Sequence, residues 1–195
     1  MYKALIFDFF GVFCTSIATN WFKRIVPNDK SKLSVFQALC TQSDYGNLSR
    51  ADFNKEVSKL TGVSVTEIIQ GIESETIINT SLVTYVKELR IRGYTIACLS
   101  NGTREWTLRV INDHGLGSLF DEVVLSGDLG IIKPSSEIYI HTLEKLKVRA
   151  SQAVFVDDRK VNTDAAEACG ISSIVFNDTS IFVKELENLL QLYHK

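Results

Sequence analysis

Five short apolar runs constrain the fold of this chain more than any other feature. They lie at residues 4–9, 94–99, 122–125, 153–156 and 173–176. Each run is nearly continuous instead of alternating between apolar and polar residues. Continuous apolar runs of this length are typical of central strands in a parallel sheet, where both faces are buried. The sequence therefore predicts a parallel sheet with five strands.

Helical patterns separate the later runs. Apolar residues recur at helical spacing in residues 81–91, 103–114, 136–146 and 162–168. A regular alternation of strand and helix predicts a doubly wound α/β fold, in which helices cover both faces of the sheet. We therefore expect a Rossmann-like core.

Residues 15–79 interrupt this alternation, because they contain no convincing strand pattern. Helical patterns are found instead at residues 31–40, 49–60 and 65–72. We interpret the segment as an all-helical cap inserted after the first strand, with a small core of its own formed by Trp21, Phe22 and Phe36. The predicted division is an α/β core of residues 1–14 and 80–195 and a helical cap of residues 15–79.

Composition excludes several classes of protein. The chain has 195 residues, 45% of them hydrophobic, which is too apolar for a disordered chain. Its 21 basic and 23 acidic residues give a net charge of −2, which provides no general attraction for nucleic acid or an anionic membrane. No apolar run is long enough to span a bilayer. The four cysteines form no close pair that would suggest a zinc site. We expect a reduced, cytoplasmic protein; the sequence carries no signal for its oligomeric state.

Polar residues collect where the predicted strands end. In chain order they are Asp8, Ser100, Asn101, Lys133, Asp157 and Asp158. Ligands of open α/β sheets bind beyond the carboxyl ends of the strands, so we expect these side chains to share one edge. Carboxylates gathered at one edge repel each other unless a cation lies among them. Oxygen ligands of this kind suit Mg²⁺, which commonly bridges to phosphate groups.

Each of these residues also has a purely structural interpretation. Asp8 would then simply end a strand, and Asp157 and Asp158 would cap the following helix. Lys133 would be a solvated lysine in a loop. The segment Ser100-Asn101-Gly102 would be an ordinary turn before a helix.

The order of these motifs resembles that of the haloacid dehalogenase-like hydrolase superfamily, in the subgroup with a small four-helix cap. The four matching motifs are Ile6-Phe7-Asp8-x-x-Gly11-Val12, Leu99-Ser100-Asn101-Gly102, Lys133-Pro134 and Phe155-Val156-Asp157-Asp158-Arg159-x-x-Asn162. The predicted helical insertion lies between the first and second motifs, where that subgroup carries its cap. The resemblance covers nearly the whole chain.

The resemblance implies a Mg²⁺-dependent phosphatase that acts on a small phosphorylated metabolite. Asp8 would be the nucleophile and would form an aspartyl-phosphate that water then hydrolyses. The metal would be held by Asp8, the backbone carbonyl of Phe10 and Asp158, with Asp157 acting through water or by orienting a neighbour. Ser100 and Asn101 would bind the phosphoryl oxygens. Lys133 would neutralise those oxygens and hold Asp8.

Phe10 departs from the pattern of the family. Phosphatases of the family usually carry a second Asp at this position, where it serves as general acid and base. A phenyl ring transfers no proton, and loss of such a relay costs roughly 10²- to 10⁴-fold in rate. Two alternatives follow. One is a 2-haloacid dehalogenase, in which an aromatic residue at this position is usual but the acidic pair is usually replaced. The other is a non-catalytic member of the same fold.

Overall fold

One parallel sheet of five strands organises the protein. The computed structural model describes residues 1–15 and 17–192. The strands are β1 (Ala4–Phe7), β2 (Thr95–Ser100), β3 (Glu122–Leu125), β4 (Ala153–Asp157) and β5 (Ser172–Val175). They lie in the order β3-β2-β1-β4-β5. The five strands and their parallel arrangement confirm the fold predicted from the apolar runs.

The first strand is shorter than its apolar run. Strand β1 ends at Phe7 and not at Phe9, because the chain turns immediately afterwards. The carbonyl of Phe9 accepts hydrogen bonds from the backbone N–H groups of Phe13 and Cys14, at 2.9 and 3.0 Å. Phe9 is fully buried, so the apolar run continues into the core after the strand has ended.

In the described part of the segment that follows, four α-helices occupy most of the chain. They are α1 (Ile17–Ile25), α2 (Lys30–Asp44), α3 (Arg50–Thr61) and α4 (Val65–Ser74). Asp29, Ser49 and Ser64 cap the last three by accepting hydrogen bonds from backbone N–H groups in the first turn. Helix α1 is missing from the sequence prediction, although its apolar residues at 18, 21, 22 and 25 follow helical spacing.

Among the described residues, six α-helices follow the insertion: α5 (Thr80–Ile91), α6 (Arg104–Asp113), the short α7 (Ser126–Leu129), α8 (Ser136–Leu146), α9 (Lys160–Ala168) and α10 (Thr179–Leu192). Apolar residues of α5, α6 and α10 pack on one face of the sheet. Those of α8 and α9 pack on the other face. The sequence pattern predicts neither α7 nor α10. The apolar spacing of Phe182, Leu186 and Leu190 is nevertheless that of a helix buried on one side.

The insertion has buried aromatic residues, as the sequence predicts. Trp21, Phe22 and Phe36 are at most 1% exposed, and the last two rings stack with centroids 4.1 Å apart. These residues are continuous with the apolar cluster on one face of the sheet. Within its described residues the 15–79 segment contributes no strand to the sheet. Its status as a separate cap stays a prediction, and residues 16 and 193–195 of the two predicted domains lie outside the described residues.

Within residues 1–15 and 17–192, every helix is too short or too polar to cross a membrane. The four cysteine thiols are free, and Cys98 is buried in β2 as expected for a small apolar residue.

We predict that Phe22→Ala strongly destabilises the protein, because the substitution leaves a cavity opposite the stacked ring of Phe36. The expected loss is about 3–5 kcal/mol in the free energy of unfolding, measured by urea denaturation. Ile91→Ala is the control, because Ile91 is 86% exposed and its truncation should change stability by less than about 0.5 kcal/mol. A loss below about 1 kcal/mol for Phe22→Ala would show that this ring does not support the insertion.

Candidate active site

Three carboxylates meet at the carboxyl edge of the sheet. Strand β1 lies between β2 and β4, with Phe7 in register with Cys98 and Val156. Asp8 therefore emerges next to Asp157 and Asp158. One oxygen from each of these three carboxylates lies within 4.8 Å of the others. The parallel register thus brings together residues that are about 150 positions apart in the sequence.

Lys133 neutralises this cluster from inside the protein. Its side chain is almost completely buried, and its ammonium group donates three hydrogen bonds. The acceptors are Asp8 Oδ1 at 2.7 Å, Asp157 Oδ2 at 2.7 Å and the carbonyl of Leu99 at 2.8 Å. All three donors of the ammonium group are satisfied. The interpretation of Lys133 as a solvated loop residue is therefore wrong.

Burial and the charge of neighbouring residues have opposing effects on the pKa values of Asp8 and Lys133. Burial raises the pKa of Asp8 to about 6; the charge of Lys133 opposes that rise, and the charge of Asp157 adds to it. Burial by itself would lower the pKa of Lys133. The two neighbouring carboxylates outweigh that effect and raise it. Lys133 is therefore a fixed positive charge at neutral pH.

Both carboxylate oxygens of Asp157 are hydrogen-bonded. Its side chain is fully buried, and Oδ1 accepts hydrogen bonds from the backbone N–H of Arg159 at 2.9 Å and from Nδ2 of Asn162 at 3.0 Å. Oδ2 accepts from Lys133 and from the same amide. The Tyr139 hydroxyl donates to the carbonyl of Asn162 at 2.8 Å and so fixes the helix turn that supplies the amide. This geometry suits a residue that orients Lys133.

Asp158 differs from its neighbour, because part of its carboxylate is free. Oδ1 is buried and has no hydrogen-bond partner within the described residues. The carboxylate lies against the backbone of Gly11, where a Cβ atom would be only 2.3 Å from Oδ2. Gly11 also has a φ of +105°, which side-chain-bearing residues rarely adopt. The glycine of the first motif is therefore required both by the turn and by Asp158.

Both ends of the Asn101 side-chain amide are hydrogen-bonded, and its role in binding a phosphoryl group stays a prediction. Its Nδ2 donates to the carbonyl of Lys133 at 3.1 Å, and its Oδ1 accepts from the backbone N–H of Lys133 at 2.9 Å. Both ends of the amide thus fix the loop that carries the lysine, next to the cis Lys133–Pro134 peptide bond. Asn101 lines the cavity, but its side chain positions Lys133 in this structure.

Ser100 ends β2 and is fully buried. Its hydroxyl has no hydrogen-bond partner among residues 1–15 and 17–192 and is therefore uncommitted. Ser100 itself is not among the described residues that line the cavity. Its role in binding a phosphoryl group stays a prediction.

Phe10 lines the same cavity as Asp8 and Asp158. The residue is half-buried and lines the cavity, and its ring packs edge-to-face on Phe9 with centroids 5.0 Å apart. The residue two positions after Asp8 is thus an apolar side chain that lines the cavity.

The helical insertion closes the other side of a cavity of about 540 Å³. Residues from both parts of the chain line it, among them Asp8, Lys133 and Asp158 from the sheet edge and Gln37, Cys40, Asp44 and Arg50 from the insertion. The guanidinium of Arg50 lies over the Trp106 ring, 3.9 Å from its centroid, and links α3 to α6. A cavity of this volume accommodates a small molecule.

Close backbone contacts hold the end of α2 against the sheet edge. The Ser126 hydroxyl donates to the carbonyl of Asp44 at 2.6 Å and accepts from the backbone N–H of Gly102 at 3.0 Å. A Cβ atom on Gly46 would lie 2.4 Å from the carbonyl oxygen of Gly127. The insertion therefore contacts the second motif through a buried hydroxyl and a glycine.

Sequence reasoning missed the roles of three residues. Asn162 was part of a motif, but only the structure shows that it holds Asp157. Ser126 and Asp44 carry no local signal: one follows a strand and the other lies in a polar helix end. Their proximity to the site depends on how the insertion packs, which a single sequence does not encode in any short pattern.

The amino-acid sequence of the chain matches a known protein family over most of its length. A model of the haloacid dehalogenase-like hydrolases matches residues 2–170. Among curated proteins, bifunctional epoxide hydrolase 2 of Rattus norvegicus is 27% identical over 132 residues, covering 65% of this chain and 24% of that protein. The sesquiterpene phosphatase astK of Aspergillus oryzae is 29% identical over 105 residues, covering 54% of each chain. Dehalogenases are also among the similar proteins.

The fold matches a solved structure over nearly its full length. A HAD family enzyme of Bacteroides thetaiotaomicron, solved with magnesium and inorganic phosphate, superposes with a TM-score of 0.77. It is 23% identical, and the match covers 93% of this chain and 99% of that one. The chain spans only 24% and 54% of the two curated relatives described above. From the family match over residues 2–170, the protein belongs to the haloacid dehalogenase-like hydrolases.

Proposed function

We propose that the protein is a Mg²⁺-dependent phosphatase that hydrolyses a small phosphomonoester through an aspartyl-phosphate on Asp8. The observation that carries the proposal is the buried ammonium group of Lys133, which is 2.7 Å from Asp8 and holds it at the cavity beside two further carboxylates. A nucleophilic carboxylate that must approach a phosphate anion needs such compensation of negative charge.

Asp8 would attack a bound phosphoryl group. It lines the cavity, and Lys133 binds only one of its oxygens, which leaves the other for reaction or for a metal. The same ammonium group neutralises charge at the point where the phosphoryl oxygens would gather. Positioning and charge stabilisation provide most of the catalysis in phosphoryl transfer.

The donor set fits Mg²⁺. Three carboxylates lie within 4.8 Å, and Asp158 has a buried oxygen with no partner. We propose that Asp8, Asp158 and the backbone carbonyl of Phe10 hold the ion, while Asp157 orients Lys133. Magnesium, when bound, would neutralise the phosphate and bring it to the nucleophile.

The covered cavity favours a small substrate over a protein-bound phosphate. Residues of the insertion cover the carboxylate cluster, so a protein-bound phosphate would not reach Asp8 in this arrangement. We propose that residues 15–79 act as the cap that selects a small phosphorylated metabolite. Ser100 would bind phosphoryl oxygens with its free hydroxyl, and Asn101 would contribute by fixing the loop of Lys133. Neither nucleic acid nor a membrane is required as a partner, and the expected compartment is the cytoplasm.

A 2-haloacid dehalogenase is the second candidate, and the aromatic ring of Phe10 favours it. The same carboxylate would then attack carbon. The clustered acids argue for the phosphatase, because a metal-free reaction on carbon gives no reason to keep three carboxylates together.

We predict that the protein binds Mg²⁺ and that Asp158→Ala abolishes this binding. Calorimetry should show a loss greater than the roughly 10- to 100-fold caused by removing a residue that only supports a ligand. Asp164→Ala is the matched control, because Asp164 is an exposed acid on α9 paired with Lys160 outside the cluster. Equal Mg²⁺ affinity in wild type and Asp158→Ala would contradict the proposed metal site.

We predict that p-nitrophenyl phosphate is hydrolysed with Mg²⁺ and that Asp8→Asn lowers the rate by at least about 10⁴-fold, since an amide is a poor nucleophile. Asp164→Asn should retain the wild-type rate. Chloride release from 2-chloropropionate without metal is measured in parallel. Release of chloride without phosphatase activity would establish the dehalogenase instead, and full phosphatase activity in Asp8→Asn would exclude the proposed nucleophile.

A further inference from the structure

The proposed phosphatase lacks a proton donor in its first motif, because Phe10 occupies the position two residues after the proposed nucleophile Asp8. The leaving oxygen of a phosphomonoester takes up a proton when its bond to phosphorus breaks, and a water must lose one in the second step. The structure must therefore supply a proton-transfer group from another part of the chain if both steps are to be fast.

One of the carboxylates that line the cavity has no role in the proposed phosphatase mechanism so far. Within residues 1–15 and 17–192, they are Asp8, Asp158 and Asp44. Asp8 is the proposed nucleophile and Asp158 the proposed metal ligand. Cys40 also lines the cavity, but burial raises the pKa of its thiol to about 12, which makes it a poor acid at neutral pH.

We propose that Asp44, from the helical insertion, is the general acid and base of the reaction. This inference rests on the proposed phosphatase function. Asp44 is the last residue of α2 and faces the same cavity as Asp8 and Lys133. It is not part of the described cluster of three carboxylates within 4.8 Å, to which the proposed metal ligands Asp8 and Asp158 belong.

The backbone holds Asp44 in place. The Ser126 hydroxyl donates to its carbonyl at 2.6 Å, and the close contact of Gly46 with Gly127 lies two residues further on. The carboxylate itself has no ion pair or hydrogen-bond partner among the described residues, so it is free to contact a substrate. Backbone anchoring with a free side chain is the arrangement that proton transfer at a fixed point requires.

The surroundings of Asp44 suit proton exchange near neutral pH. Burial raises the pKa of Asp44 to about 7. The positive charges of Lys133 and Arg159 lower that pKa, and the negative charge of Asp8 raises it. Cys40, on the same helix, is neutral at this pH. The C-terminal end of a helix also disfavours negative charge. A bound phosphate, being an anion, would favour the protonated form further.

Both chemical steps balance with this assignment. In the first, an oxygen of Asp8 attacks phosphorus, the bond from phosphorus to the leaving oxygen breaks, and protonated Asp44 gives its proton to that oxygen. The alcohol leaves and Asp44 becomes a carboxylate. In the second, water attacks the same phosphorus while Asp44 takes its proton. The bond from phosphorus to Asp8 breaks, inorganic phosphate leaves, and both aspartates return to their starting states.

Asp44→Asn tests the assignment with two substrates of similar shape. Phenyl phosphate has a basic leaving group, whereas p-nitrophenyl phosphate has a weakly basic one that needs little protonation. In single-turnover experiments with Mg²⁺, Asp44→Asn should release phenol about 100-fold more slowly than wild type, and nitrophenol less than about fivefold more slowly. Glu56→Gln removes an exposed carboxylate from α3 of the same insertion and should change neither rate.

A second readout follows from the base role. With p-nitrophenyl phosphate, Asp44→Asn should give a burst of nitrophenol equal to the enzyme concentration, followed by slow turnover, because the aspartyl-phosphate accumulates. Intact-protein mass should show that phosphoenzyme. An equal loss of rate on both substrates without a burst would mean a structural role and would overturn the assignment, as would unchanged rates.

Wild type provides a test that does not depend on the variant's folding. Release of phenol should decline as the pH rises above about 7, where Asp44 loses its proton, and release of nitrophenol should decline much less. Parallel declines would overturn the assignment. If Asp8→Asn abolishes turnover while these tests fail, only the role of Asp44 is wrong. If Asp8→Asn retains wild-type turnover, the proposed phosphatase mechanism itself is wrong.

Discussion

The buried ammonium group of Lys133 is the interaction on which the rest of the site depends. It compensates two aspartates that would otherwise repel each other in a region of low polarity, and it is fixed by the Leu99 carbonyl as well. A buried charge that has lost its partner is strongly destabilising, so the arrangement holds only as a complete set. The loop that brings Lys133 into the sheet is in turn held by Asn101, whose side chain binds both backbone groups of the lysine.

The two parts of the chain contribute different chemistry. The sheet edge supplies fixed charge, because parallel strands place Asp8, Asp157 and Asp158 at one point. The insertion supplies the cover of the cavity and, as we propose, the group that exchanges protons. Ser126 joins the two parts, since one hydroxyl contacts both the second motif and the backbone of Asp44. In the proposed mechanism, Asp44 would carry out the proton transfer that the phenyl ring of Phe10 cannot.

The sheet and the carboxylate cluster were predictable from sequence, because both follow from local patterns. Continuous apolar runs indicate buried parallel strands, and residues at their carboxyl ends must meet. Asp8, Lys133, Asp157 and Asp158 were found in this way. The hydrogen-bond partners of the Asn101 side chain were not predictable from sequence, because they lie in a loop 32 positions further along the chain. The position of Asp44 at the cavity was not predictable, because it depends on how the end of α2 packs against Ser126 and not on its neighbours in sequence.

The most direct test of the account is to locate the phosphoryl group during turnover. Wild-type protein is mixed with p-nitrophenyl phosphate and Mg²⁺, quenched in acid within milliseconds, digested and mapped by mass spectrometry. If Asp8 is the nucleophile, the phosphoryl group should be attached to Asp8, in the segment that joins β1 to the insertion. A phosphoryl group on a different residue, or turnover with no phosphoenzyme at any quench time, would contradict the role of Asp8 as the nucleophile.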